Sequence, residues 1–139
     1  MLFRSGPYLV YNNSFINISF AVMNTANGGS FATGSQARNN IYWNSPSGGL
    51  PSDYDLCNSS CGETNGQTYT TIDLFTSYAS QNYHLARATT AGQSLPAPYN
   101  VDYDGKTRGS DGVWDRGAYE FNGTTATPNP PTNLTGTTH

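Results

Sequence analysis

Two copies of one short motif, 27 residues apart, constrain the fold of this chain more than any other feature. Residues 12–17 read Asn-Asn-Ser-Phe-Ile-Asn, and residues 39–44 read Asn-Asn-Ile-Tyr-Trp-Asn. A repeat of this length matches one turn of a solenoid, in which successive turns stack their strands in parallel. Asparagine suits the ends of such strands, because it tolerates a left-handed bend and bonds to stacked asparagines. The repeat therefore predicts parallel strands, and an antiparallel sandwich is the alternative.

The composition favours β-structure. Charged residues make up 11 % of the chain and aromatic residues 13 %, including 10 tyrosines, whereas disordered chains combine few aromatics with a high net charge. Asn, Thr, Ser, Gly and Tyr are abundant, as in short strands joined by turns. Strong helix formers such as Glu, Lys and Leu are scarce. We expect a β-rich protein that works outside the cell.

The charge balance and the apolar pattern argue against two classes of partner. Only six residues are Lys or Arg, and the formal net charge is −3, so the clustered basic side chains that contact nucleic acid are missing. No apolar run approaches the roughly 20 residues that a membrane span requires. The start of the chain does not read as a signal peptide, and we expect further modules of the same parent chain.

The segment between residues 83 and 121 resembles a known family. Its recognisable pieces are, in order, Tyr-His-Leu at 83–85, Asp-Tyr-Asp-Gly at 102–105, Arg108, and Asp-Arg-Gly-Ala-Tyr-Glu at 115–120. This succession resembles the C-terminal closure of secreted bacterial proteins of the pectate-lyase-like superfamily. Residues 39–44 resemble one turn of the same fold. Arg116 departs from the pattern, because the family usually has an aliphatic residue at that position.

The resemblance implies an all-β fold, a fragment of a right-handed parallel β-helix (a solenoid). Residues 1–121 would form its C-terminal turns and a cap segment. Residues 122–139 are rich in Thr and Pro, which predicts a disordered, extended linker. The linker could lead to a fibronectin type III module.

The resemblance also implies a function on polysaccharides. The expected function is that of a carbohydrate-recognising segment of a secreted or cell-surface protein that binds or processes polysaccharide, without catalysis by this chain alone. One alternative is a surface adhesin or structural scaffold. A second is a polysaccharide lyase or glycoside hydrolase, which would need a basic residue with carboxylate ligands, or a pair of carboxyl groups, on adjacent strands.

Aromatic side chains are the candidates for contact with sugar. Tyrosine and tryptophan rings can lie flat against a pyranose ring and add a hydrogen bond. The predicted carbohydrate-binding residues are Tyr11, Tyr42, Trp43 and Tyr54. Neighbours along a strand point to opposite faces, so Tyr42 and Trp43 cannot both face outward. Some of these rings must therefore belong to the core.

The acidic cluster near the C-terminus allows two interpretations. Asp102, Asp104 and Asp111 could bind Ca²⁺, because hard cations prefer several oxygen ligands from a turning loop. The structural interpretation, which we favour, pairs Arg108 with Asp104 or with Asp115. It also uses the bulky rings of this segment, Trp114 and Tyr119, to close the end of the fold. Apart from this possible Ca²⁺, no cofactor is expected.

Two further features have a chemical and a structural interpretation. Cys57 and Cys61 are spaced for a local disulfide in an exported protein, or are two idle thiols. His84 could act as a general base, although a packed or surface histidine is the simpler interpretation.

Overall fold

The structure is a computed structural model, and it describes residues 6–19 and 30–123. The elements of these ranges are short. They are β1 (Leu9–Tyr11), β2 (Ser14–Ile16), β3 (Gln36–Arg38), β4 (Ile41–Trp43), β5 (Ser52–Asp53), β6 (Leu56–Cys57), β7 (Gln67–Thr68), a 3-10 helix (Ile72–Leu74), β8 (Phe75–Ser77) and β9 (Asn82–Leu85).

The strands form three small sheets. β1, β3 and β5 pair in parallel in that order, and β2, β4, β6 and β7 form a second parallel sheet. β8 and β9 form an antiparallel pair. The described part of the chain contains no helix that is long and apolar enough to cross a membrane.

The two asparagine motifs lie side by side in this arrangement. Asn12 and Asn39 both have positive φ, at 56° and 58°, and each makes the bend between two consecutive strands. The side-chain amide of Asn39 donates to Oδ1 of Asn12 at 3.2 Å. One residue further on, the side-chain oxygen of Asn40 accepts the backbone N–H of Asn13 at 3.0 Å. The amide contacts fix the register in which β1 meets β3 and β2 meets β4.

The main apolar core lies between the second parallel sheet and the β8–β9 hairpin. Its buried members are Ile41, Trp43, Leu56, Leu74, Phe75 and Leu85. The rings of Trp43 and Phe75 meet edge to face with their centroids 5.1 Å apart. The hairpin therefore covers the side of β4 and β6 from which these side chains project.

The predicted right-handed parallel β-helix is wrong, because no solenoid is found in the part of the chain that the structure describes. The described strands are two to four residues long and belong to small parallel and antiparallel sheets. Parallel partners are 27 residues apart between β1 and β3, 15 between β3 and β5, and 11 between β6 and β7. A solenoid needs a nearly constant repeat, and the described strands show the 27-residue spacing only in the pairs β1–β3 and β2–β4. After β7 the chain reverses into the antiparallel hairpin.

The segment from 100 to 121 docks on the asparagine motifs without joining a sheet. Its only bridge among the described residues is the antiparallel contact of Val101 with Thr107. The backbone N–H of Gly117 donates to the carbonyl of Asn39 at 2.7 Å, and that of Ala118 donates to Ser14 Oγ at 3.0 Å. Docking brings Tyr103 of this segment to the same groove as Tyr11 of β1. The predicted linker 122–139 lies outside the described residues from 124 onward.

Candidate functional site

The turn at residues 102–105 builds one wall of the candidate site. The backbone N–H of Gly105 donates to the carbonyl of Asp102 at 3.1 Å. Gly105 has a φ of 82°, and Asp at the first position with Gly at the fourth is a favoured β-turn sequence. Tyr103 lies at the tip of this turn, and its side chain is 80 % exposed.

Asp102 holds the turn through its carboxylate. Oδ1 accepts the backbone N–H groups of Asp104 and Lys106 at 2.9 and 2.8 Å. Oδ2 accepts the backbone N–H of Glu120 at 2.9 Å. These three bonds, in a buried side chain, assign Asp102 to the scaffold of the site.

The other two candidate Ca²⁺ ligands lie in different surroundings. Asp104 is exposed and faces His84 and Lys106, while Asp111 accepts the backbone N–H of Val113 in its own turn at 3.0 Å. No group of three or more metal-ligating side chains is found among the described residues. The three aspartates therefore do not form one ligand set there.

Arg108 fixes the scaffold from inside and pairs with a partner that the sequence did not suggest. Its guanidinium group lies 3.4 Å from Oε2 of Glu120, and both side chains are buried. It also donates to the backbone carbonyls of Val101, Asp115, Gly117 and Ala118. Burial lowers the pKa of Arg108 from its ordinary value and raises that of Glu120 to about 7. The predicted pairing with the carboxylate of Asp104 or Asp115 is not observed.

A groove of about 240 Å³ lies between the turn and β1. We call it the tyrosine groove, because its aromatic lining consists of Tyr11, Tyr99 and Tyr103. Its polar lining includes Asn13 and Asp102. The rings of Tyr11 and Tyr99 meet edge to face at 4.9 Å. The groove thus combines ring surfaces with hydrogen-bonding groups, as small-ligand sites do.

A second group of rings adjoins Tyr103. The ring of Tyr119 lies 5.8 Å from that of Tyr103, edge to face. His84 stacks on Tyr119 with its ring centroid 4.0 Å away. Tyr103 therefore belongs both to the groove lining and to this second group of rings.

His84 has both ring nitrogens engaged. Nδ1 lies 2.6 Å from Oδ1 of Asn82, which also accepts the backbone N–H of His84. Nε2 lies 3.1 Å from Oδ2 of Asp104, and the Nζ of Lys106 is 3.6 Å from the same carboxylate oxygen. These contacts position the ring for stacking.

The remaining predicted sugar-contacting rings lie elsewhere. Tyr42 and Trp43 are only 1 % and 2 % exposed, so neither presents a face to a ligand. Phe15 stacks on Tyr42 with centroids 5.2 Å apart, and burial raises the pKa of the Tyr42 hydroxyl. Tyr54 is half-buried, with the guanidinium of Arg116 6.0 Å above its ring. Of the predicted set, Tyr11 alone lines the tyrosine groove.

Residues 55 to 63 hold a disulfide and a buried carboxyl group. Cys57 and Cys61 are joined by a disulfide bond. The Asp55 side chain is fully buried, and Asn40 donates its backbone N–H to Oδ1 at 2.7 Å. Burial, with the nearby charge of Glu63, raises the pKa of Asp55 to about 7. None of these residues lines the tyrosine groove, and the region belongs to the structural framework.

Sequence reasoning missed Tyr99 and Tyr103. The signal for Tyr103 was present, because Asp-Tyr-Asp-Gly predicts a turn with the tyrosine at its tip. Comparisons with protein-family models, curated proteins and solved structures found no match. The resemblance to the pectate-lyase-like superfamily therefore stays a prediction.

Proposed function

We propose that this chain binds polysaccharide through the tyrosine groove. The supporting observation is the open polar groove lined by Tyr11, Tyr99 and Tyr103, with Tyr119 packed edge to face on Tyr103. Tyrosine offers a flat apolar face and a hydroxyl on a side chain with few rotatable bonds, so it binds sugar rings at low entropic cost. Several neighbouring rings suit a chain of sugars better than one small molecule.

The proposal places the protein outside the cell, as a secreted or cell-surface protein. The Cys57–Cys61 disulfide supports this location, because disulfides persist in oxidising compartments. Polysaccharides accessible to such a protein lie in cell walls and extracellular matrices. Catalysis is not part of the proposal for this chain.

The test is affinity electrophoresis through gels that contain pectin, xylan, alginate, mannan or β-glucan. We expect at least one polymer to retard the wild-type chain, and Tyr103→Ala to abolish most of the retardation. Tyr103→Phe should retain it, because the ring face is preserved. Tyr8→Ala is the matched control, since Tyr8 is also exposed but does not line the groove.

The possible outcomes separate the functions. If a folded wild-type chain migrates freely in every gel, the polysaccharide proposal is wrong, and a scaffold or adhesin without sugar chemistry becomes the better account. If Tyr103→Ala and Tyr8→Ala are retarded as strongly as the wild type, the chain binds sugar elsewhere.

A further inference from the structure

The basic groups near the tyrosine groove are already committed to protein partners. Arg108 lines the groove but directs its donors to four backbone carbonyls and to Glu120. Lys106 lies 3.6 Å from Asp104, and His84 lies 3.1 Å from the same carboxylate. Among the described groove residues, no cation is therefore available to pair with an acidic sugar without breaking an existing contact.

The segment that borders the groove carries an excess of negative charge. Residues 100–121 contain five carboxylates and three basic side chains, and the exposed carboxylate of Asp104 lies 3.1 Å from the His84 ring that stacks on Tyr119. Burial raises the pKa of the Tyr119 hydroxyl, and the charges of Asp104 and Asp102 add to the effect. A second anion placed here would be repelled, because like charges brought together at a binding surface oppose association.

The groups left for a ligand suit a neutral sugar. The rings of Tyr99 and Tyr103 offer apolar contact. The side-chain amide nitrogen of Asn13 already donates to Tyr11 and Asn40, so Asn13 offers its Oδ1 as an acceptor. Asp104 can accept hydrogen bonds from sugar hydroxyl groups, which are donors that a neutral sugar carries around its ring. Charge-assisted hydrogen bonds of this kind are stronger than neutral ones.

We infer that the tyrosine groove selects neutral polysaccharides over uronic-acid polymers, with Asp104 as the selectivity residue. The inference rests on the proposed function, since it concerns the same groove. Xylan, mannan and β-glucan represent the neutral class, and de-esterified pectin and alginate the acidic class. Asp104 would admit the first class and repel the second.

The test compares the wild type, Asp104→Asn and Asp111→Asn in these gels, with EDTA and with calcium. We expect the wild type to be retarded by a neutral polymer and not by pectin or alginate. Asp104→Asn should gain affinity for the acidic polymers by about fivefold, because it frees Lys106. Asp111→Asn is the control, since it removes an equal charge from a different turn and should behave as the wild type.

Stronger retardation of the wild type by pectin or alginate than by any neutral polymer, with calcium or without it, would overturn the inference while leaving polysaccharide binding intact. An Asp104→Asn variant that gains no affinity for acidic polymers would overturn the role of Asp104. Retardation in none of the gels would overturn the proposed function itself.

Discussion

Glu63 accepts the backbone N–H of Asp55 at 3.0 Å and places its second carboxyl oxygen against the buried side chain of the same residue. One oxygen of each carboxyl group, Oδ2 of Asp55 and Oε1 of Glu63, is buried without a hydrogen-bond partner. Two ionised carboxylates cannot bond to each other, whereas a pair that shares one proton can. We infer that the two groups share a proton, which would satisfy both oxygens in a single bond.

This pair predicts that the protein loses stability as the pH rises. The pKa of Asp55 is raised to about 7 in the folded protein, against an unfolded value of about 4. The folded state therefore binds more protons between these values, so the stabilisation is complete below about pH 4 and lost by about pH 7. The pKa of Glu120, also raised to about 7, adds to the loss. Thermal unfolding midpoints across this range measure it.

Glu63→Gln should make the pH dependence shallower. The amide can donate to Oδ2 of Asp55 at every pH, while its oxygen keeps the bond to the Asp55 backbone. We expect the variant to be more stable than the wild type above about pH 7. Asp111→Asn is the control for the loss of one charge. Equal slopes for Glu63→Gln and the wild type would contradict the shared proton.

Gly117 and Gly112 provide a matched pair that tests how closely the C-terminal segment docks. Both have a φ of +93°, but a Cβ on Gly117 would lie 2.5 Å from Cδ1 of Ile41, and one on Gly112 would meet nothing within 4 Å. Gly112→Ala should lower the free energy of unfolding by about 1–2 kcal/mol, because alanine is strained in this left-handed backbone conformation. Gly117→Ala should cost a further ~1–3 kcal/mol for the overlap. Equal free energies of unfolding would show that the segment is not held against Ile41.

Arg108 should be far more sensitive to replacement than an exposed arginine. Arg108→Met leaves Glu120 and several carbonyls buried without their donor, so we expect a loss of about 3–5 kcal/mol in the free energy of unfolding. The control is Arg87→Met, which removes an exposed ion pair with Asp73 and should change stability little. Chemical denaturation compares the two. Similar small losses would contradict the structural role of Arg108.

Truncation of Trp43 should destabilise the protein strongly, whereas truncation of Tyr103 should change its stability little. Trp43→Ala opens a cavity in the core and should cost about 3–5 kcal/mol of unfolding free energy. Tyr103→Ala removes an exposed ring and should change stability by about 0.5 kcal/mol or less. A Trp43→Ala variant that stays stable but binds sugar more weakly would instead place the sugar-binding site at β4.

The structure of the asparagine motifs could be predicted from the sequence, but the fold around them could not. The left-handed bends at Asn12 and Asn39 follow from the residue type, and the motifs do lie in parallel. The spacing of the later strands depends on the loop between Trp43 and Ser52 and on the disulfide-closed turn, whose lengths break the 27-residue period. No local sequence pattern predicts that change in strand spacing.

The candidate site could be predicted only in part, because long-range packing decides which rings are exposed. Alternation along β4 predicted that Tyr42 and Trp43 cannot both face outward, and in the structure neither does, because both faces of this strand are covered. Phe15 stacks on Tyr42, and Phe75 packs against Trp43. Tyr11 is far in sequence from Tyr99 and Tyr103, so their shared groove required the docking of the C-terminal segment.

The most direct test of the account is an NMR titration of the ¹⁵N-labelled wild-type chain with oligosaccharides of xylan, mannan and β-glucan in turn. We predict that one of them shifts the backbone resonances of Asn13, Tyr99, Tyr103 and Tyr119 together, while those of Tyr42 and Trp43 stay in place. Shifts confined to other parts of the chain, or no shifts with any of the three, would contradict the tyrosine groove as a site for neutral polysaccharide.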